Sequence, residues 1–164
     1  MLFVSDANIF IDLYKTDLLT CFDRLGFTIA TSDFVYNELN AAQKRVVDGL
    51  NITVYEMDGA ELAGFHMEFA ELDLKQISYQ DYSIFYYAKK YDGDVLSNDK
   101  RLRKFASRRS IPVKGLFYIL DAMVSQGCIS ANLMVEKLIL LKEINKRLPL
   151  KEIDNRIEQL TIQE

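Results

Sequence analysis

The chain has 164 residues, 49% of them apolar and 27% charged, with a net charge of −4. That is the length of one domain with its own core and the composition of a soluble globular protein. It excludes a protein that coats nucleic acid by bulk positive charge. No apolar run approaches the roughly 18 residues of a membrane span, and one histidine with two cysteines is too few for a recognisable zinc site.

The N-terminus, MLFVSDANIF, has neither a basic start nor a small-residue cleavage site. It reads as no signal peptide, and a cytoplasmic location follows by default. In that compartment Cys21 and Cys128 are expected as two buried free thiols rather than a disulfide.

In chain order, residues 2–5 (LFVS) read as a short buried strand. Residues 8–14 and 17–25 read as helical, with Gly26 as a stop. Residues 27–30 (FTIA) form a second strand. Ser32 looks like the N-cap of a helix carrying Phe34, Val35 and Leu39. A further helix over about 41–49 precedes a third strand at 52–55 (ITVY). Residues 60–72 form an amphipathic helix, and Ser78 caps another, with Asp81 in the capping-box position three residues on. A fourth strand covers 94–97 and a basic helix 99–108. Residues 111–113 (IPV) suit a short edge strand, because Pro112 cannot donate to a ladder. The stretch 115–162 reads as three helices, divided at Gly127 and Pro149. Strands alternating with helices predict an α/β fold: a small parallel sheet covered on both faces, with helices dominating by residue count.

Four acids, Asp6, Glu38, Asp81 and Asp99, lie where one element ends or the next begins. Asp6 closes LFVS, and Asp99 closes VLSN. Residues just past the carboxyl ends of parallel strands line the ligand crevice. Carboxylates gathered there repel one another unless a cation neutralises them, and hard divalent ions prefer such oxygen ligands. The pattern points to metal-assisted phosphodiester chemistry. Each acid also has a structural explanation. Asp6 and Asp99 suit plain N-caps, Asp81 suits a capping box, and Glu38 suits a solvated helix end, although Val35 and Leu39 turn its helix edge towards the sheet.

Seven basic residues and no acid occupy the stretch from Lys100 to Lys114. Lys100, Arg101, Arg103 and Lys104 are candidates for nucleic-acid backbone contacts, against the alternative of a solvated helix face. Tyr79, Tyr82, Phe85, Tyr86, Tyr87 and Tyr91 read as core packing rather than a base-stacking platform, since three of them recur at helical spacing. His66 reads as a surface or satisfied histidine. Asp12 and Asp33 read as helix surface and cap, and Asp94 as a turn residue.

The order DAN, then VYNEL, then SYQDYSIFYYAKK, then LSNDKRLR resembles the PIN-domain family of small nucleases, many acting on RNA. The resemblance covers about residues 1–128. It implies a three-layer α/β fold with a short parallel sheet of four to five strands, here followed by a helical C-terminal extension over 129–164. It implies a four-acid Mg²⁺ or Mn²⁺ site at Asp6, Glu38, Asp81 and Asp99, supported by Asn8 and by the Ser97 hydroxyl, where the family more often has Thr. It also implies endonucleolytic hydrolysis of RNA leaving a 5′-phosphate, and a homodimer. The C-terminal stretch from Lys114 resembles one PIN subgroup described only as nucleic-acid binding. It runs longer than the compact PIN toxins, which are silenced by an antitoxin protein. Two other readings stay open: a non-catalytic nucleic-acid-binding module, and a toxin-like module controlled by a partner. A haloacid-dehalogenase-like phosphatase is disfavoured, because its general acid would fall on Asn8.

Overall fold

The computed structural model describes residues 1–72 and 77–162. Five short strands, β1 (Leu2–Ser5), β2 (Thr28–Ser32), β3 (Ile52–Tyr55), β4 (Asp94–Leu96) and β5 (Val113–Lys114), form one sheet in the order β3-β2-β1-β4-β5. Every pairing is parallel. The central strand β1 is buried at Phe3, Val4 and Ser5, as expected of a strand covered on both faces. Pro112 explains the shortness of β5. It has no N–H to give, but its carbonyl accepts from Val95 N–H at 2.9 Å, so pairing begins there and lasts two residues.

The connections are helical. Helices α1 (Ala7–Lys15) and α2 (Leu19–Asp23) follow β1, and α3 (Asp33–Tyr36) and α4 (Ala41–Asp48) follow β2. Helices α5 (Gly59–Glu71) and α6 (Tyr79–Lys90) follow β3, and α7 (Lys100–Ser107) joins β4 to β5. Helix α6 packs on β1, β2 and β4, while α1 packs on α2 and α4. The chain runs outward from β1 to β3, then crosses back to the other side of β1 for β4. The strand order therefore switches between β1 and β4, the place where open α/β sheets bind ligands.

The expected α/β architecture is present, with local differences. The helix expected over 17–25 contracts to α2, because Asp17 takes a left-handed φ of 56° and breaks the chain. Gly26, at φ +70°, stops it as expected. The helix after Ser32 ends at Tyr36, and Asn37, Glu38 and Leu39 continue as turns closed by short-range amides. Val35 and Leu39 are still buried. The second strand shifts towards Ser32. Phe27 instead lies at its entry, in edge-on contact with Phe3 at 5.1 Å.

Three helices complete the chain: α8 (Leu116–Ser125), α9 (Ala131–Ile144) and α10 (Leu150–Ile162). Helix α9 packs on α8 and α10. Polar contacts tie this end to the rest of the fold and brace it internally. Asn145 Nδ2 donates to Asp12 Oδ2 at 2.8 Å, and Arg156 grips both Asp121 oxygens at 2.9 Å. Asp12 is thus buried at 5% exposure, contrary to the helix-surface expectation. It stands on the side of α1 that Asn145 covers.

Of the three aromatics at helical spacing, Tyr82 and Phe85 are buried in the core as expected and Tyr86 is half-buried, while Tyr87, off that spacing, is fully buried. Phe65 centres their cluster, with Phe34, Tyr79, Tyr82 and Tyr86 each within 6 Å of its ring. His66 is exposed and bonded to the Tyr79 hydroxyl. Cys21 and Cys128 are free thiols; Cys21 is buried and Cys128 half-buried. Among the described residues no helix is long and apolar enough to cross a membrane.

Candidate metal centre and its surroundings

Asp6 follows β1 directly. Its amide donates to Leu96 O at 3.1 Å, extending the β1–β4 pairing one residue past the strand. Its side chain caps α1 by accepting from Ile9 N–H at 3.1 Å, and it is only 3% exposed. The structural and functional explanations therefore hold together. The cap pins one carboxylate oxygen, and the other accepts a hydrogen bond from Ser97 Oγ across the strand boundary.

Ser97 is fully buried. Its hydroxyl donates to Asp6 and accepts from Asp99 N–H at 3.0 Å. Its carbonyl accepts from Arg103 Nη1 at 3.0 Å. One hydroxyl, 91 positions from Asp6, thus ties the first acid to the last. Asp99 is the N-cap of α7, with Oδ1 accepting from Arg101 and Leu102 N–H at 2.8 and 2.9 Å. This cap commits only one of its oxygens.

Asp81 sits in the first turn of α6, where its amide donates to Ser78 Oγ at 3.0 Å. Two hydroxyls seat that helix against the sheet: Ser83 Oγ lies 2.6 Å from Ser32 Oγ at the end of β2. Ser32 also caps α3 through Val35 N–H at 3.2 Å, so the same residue sets the start of the segment carrying Glu38. The sequence offered Ser32 only as a cap and did not single out Ser83. Its signal was weak, a hydroxyl two residues after Asp81.

The electrostatics link Asp6, Asp81 and Asp99 to one another and Glu38 to Asp81. Burial pushes the Asp6 carboxyl up to about 7, against the lowering hydrogen bonds from Ser97 and Ile9, and the charges of Asp81 and Asp99 raise it further. Asp81 is raised by burial, with Ser78 lowering it and Asp99 raising it. Glu38 is raised by partial burial and by Asp81. It is exposed in the turn after α3 rather than edged towards the sheet. Among the described residues no three His, Cys, Asp or Glu side chains are grouped closely enough to hold a metal ion. The acids are electrostatic neighbours and do not form a closed ligand shell. The donor set, hard oxygens whose charges raise one another's proton affinity, fits a hard divalent cation.

Asn8, the second residue of α1, is exposed. The basic candidates on α7 do not act as one face. Lys100, Arg101 and Lys104 are exposed, whereas Arg103 is half-buried and held by the Ser97 carbonyl. Arg109 lies 3.7 Å over the Phe105 ring. Asp33 opens α3 one residue after its cap, half-buried and with one oxygen unpartnered, and Asp94 begins β4.

No curated protein matches the chain. Among solved structures it is similar to a PilT N-terminus domain protein from the hyperthermophilic archaeon Sulfolobus solfataricus. The identity is 6%, with 76% of this chain and 94% of that chain covered and a TM-score of 0.43. A family model described as PIN domain matches residues 2–161, nearly the whole chain and past residue 128 into α9 and α10. The chain therefore belongs to the PIN-domain family, whose members are generally nucleases that use divalent metal ions.

Proposed function

We propose that this protein is a metal-dependent endoribonuclease, with Asp6, Asp81 and Asp99 holding Mg²⁺ or Mn²⁺ and Glu38 at the rim. One observation carries the reading: Asp6 is buried at the strand-order switch and bound through the Ser97 hydroxyl to the start of the Asp99 segment, and its proton affinity is raised by burial and then by the charges of Asp81 and Asp99. A structural cap gains nothing from two further acids nearby. A divalent ion supplies an activated water and stabilises charge developing on the phosphate.

The chain's own residues orient that chemistry. Ser97 fixes the Asp6 carboxylate and the start of α7 together. Glu38, raised and exposed, is suited to position a water or take its proton. Asn8 stands beside Asp6 as a polar partner for substrate. Lys100, Arg101, Arg103 and Lys104 supply positive charge beside Asp99 for a phosphate backbone. RNA is the proposed substrate, and a cytoplasmic location and a homodimer accompany the proposal.

The test is cleavage of a fluorescent single-stranded RNA with Mn²⁺, compared with wild type in EDTA and with Asp6→Asn in Mn²⁺. Activity in the first case alone supports the reading. No cleavage by wild type, or undiminished cleavage by Asp6→Asn, overturns it and leaves a non-catalytic binding module.

A further inference from the structure

A cavity of about 710 Å³ opens beside Asp99, where the start of α7, the β5–α8 junction and residues 147–156 meet. Asn98 and Lys100, which flank Asp99, both line it. Five cationic side chains face it (Lys100, Arg103, Lys114, Arg147 and Arg156) against two acids, Asp121 and Glu152. Both acids are taken by a single cation: Arg156 binds Asp121 at 2.9 Å and reaches Glu152 at 3.6 Å. Among the described residues no carboxylate pairs with Lys100, Arg103, Lys114 or Arg147.

A neutral donor adds to this excess. Asn98 Oδ1 accepts from Leu116 N–H at 3.0 Å, which fixes the orientation of its amide. Its Nδ2 is then left buried with no hydrogen-bond partner. A buried donor with no acceptor is costly, and the deficit is removed by an acceptor arriving from the cavity. Gly115 keeps this wall thin. A Cβ there would stand 2.7 Å from Asn98 Oδ1 and 3.1 Å from Arg103 Nη1. Lys114 Nζ lies 5.0 Å over the Tyr118 ring and Arg156 Cζ 4.3 Å over Phe117, so the cavity's aromatic faces are occupied by cations. The open chemistry is anion binding, not base stacking.

We propose that this cavity is a phosphate-ester binding site formed jointly by α7, the α8 N-terminus and the Arg147–Arg156 segment. Its volume suits one nucleotide-sized group. The ester comes either from the backbone of a strand that continues past Asp99 or from a free mononucleotide. The first source rests on the nuclease reading; the second does not.

The test is made in EDTA, where cleavage plays no part. A labelled twelve-nucleotide oligouridylate is titrated by fluorescence anisotropy, and UMP by calorimetry. The protein is wild type, Lys100→Gln/Arg147→Gln, or a control, Lys15→Gln/Arg45→Gln, which loses the same charge elsewhere. All four positions are exposed, and circular dichroism checks the fold. The expected result is oligonucleotide binding weakened at least tenfold by the cavity pair and less than twofold by the control. The log–log salt slope should fall by about 1.4 with the cavity pair, for two lost phosphate contacts on a single strand. UMP binding lost in parallel assigns the site to a free nucleotide, and oligonucleotide binding alone assigns it to a strand. Equal effects of the two pairs, or no binding of either probe, overturn the proposal. A protein that binds here yet cleaves nothing with Mn²⁺ refutes the nuclease reading alone.

Discussion

Asp6 is the residue with most at stake. Its folded-state proton affinity, near 7, lies above the ordinary carboxylate value of 3.8. The folded state therefore holds this proton more tightly than the unfolded chain, and the metal-free protein loses stability as pH rises from about 4 to about 7. The shift of about three pH units corresponds to roughly 4 kcal/mol. Asn keeps the cap and cannot ionise. Urea unfolding in EDTA should show Asp6→Asn more stable than wild type at pH 8 by a few kcal/mol, with little difference at pH 4. A metal ion must displace the same proton. Mn²⁺ affinity should thus rise nearly tenfold per unit between pH 5 and pH 7, measured by calorimetry, and level off above. Ser97→Ala removes a donor to Asp6 and an acceptor for Asp99 N–H. It should cost about 1–3 kcal/mol in the same unfolding assay and raise the Asp6 carboxyl further.

Among the elements, α1 and the α9–α10 pair meet at Asp12 and Asn145. Burial already raises the Asp12 carboxyl, and Asn145 lowers it. Asn145→Ala leaves that buried carboxylate unpaired, at a cost of about 1–3 kcal/mol. Hydrogen exchange should show the loss as faster exchange in α9 and α10, with the sheet amides affected less. The caps at this scale were legible in advance. Ser32 and Ser78 each accept from an amide three residues on, because capping depends only on local spacing. Asp12 was not legible. Its helix position looks solvated until a residue 133 positions away covers it.

For the whole molecule, an ion that binds only the folded state raises stability with its concentration. At a hundredfold excess over Kd the gain is about 2.7 kcal/mol. Thermal unfolding should show a Tm that climbs with Mn²⁺ for wild type and stays flat for Asp6→Asn; no shift for either would contradict an acid-bound ion. The alternating apolar runs and the caps determined the element order and the parallel α/β sheet, since both follow from periodicity and chain-local hydrogen bonds. The four acids were legible as residues at element ends and starts for the same reason. Only the tertiary structure decided that Ser97 bonds Asp6, that Ser32 meets Ser83, and that Glu38 is exposed in the turn after α3. It also decided that Arg147 comes to face the same cavity as Lys100. These are relations between distant segments, set by how strands order in the sheet and how helices pack on it, and no local pattern carries them.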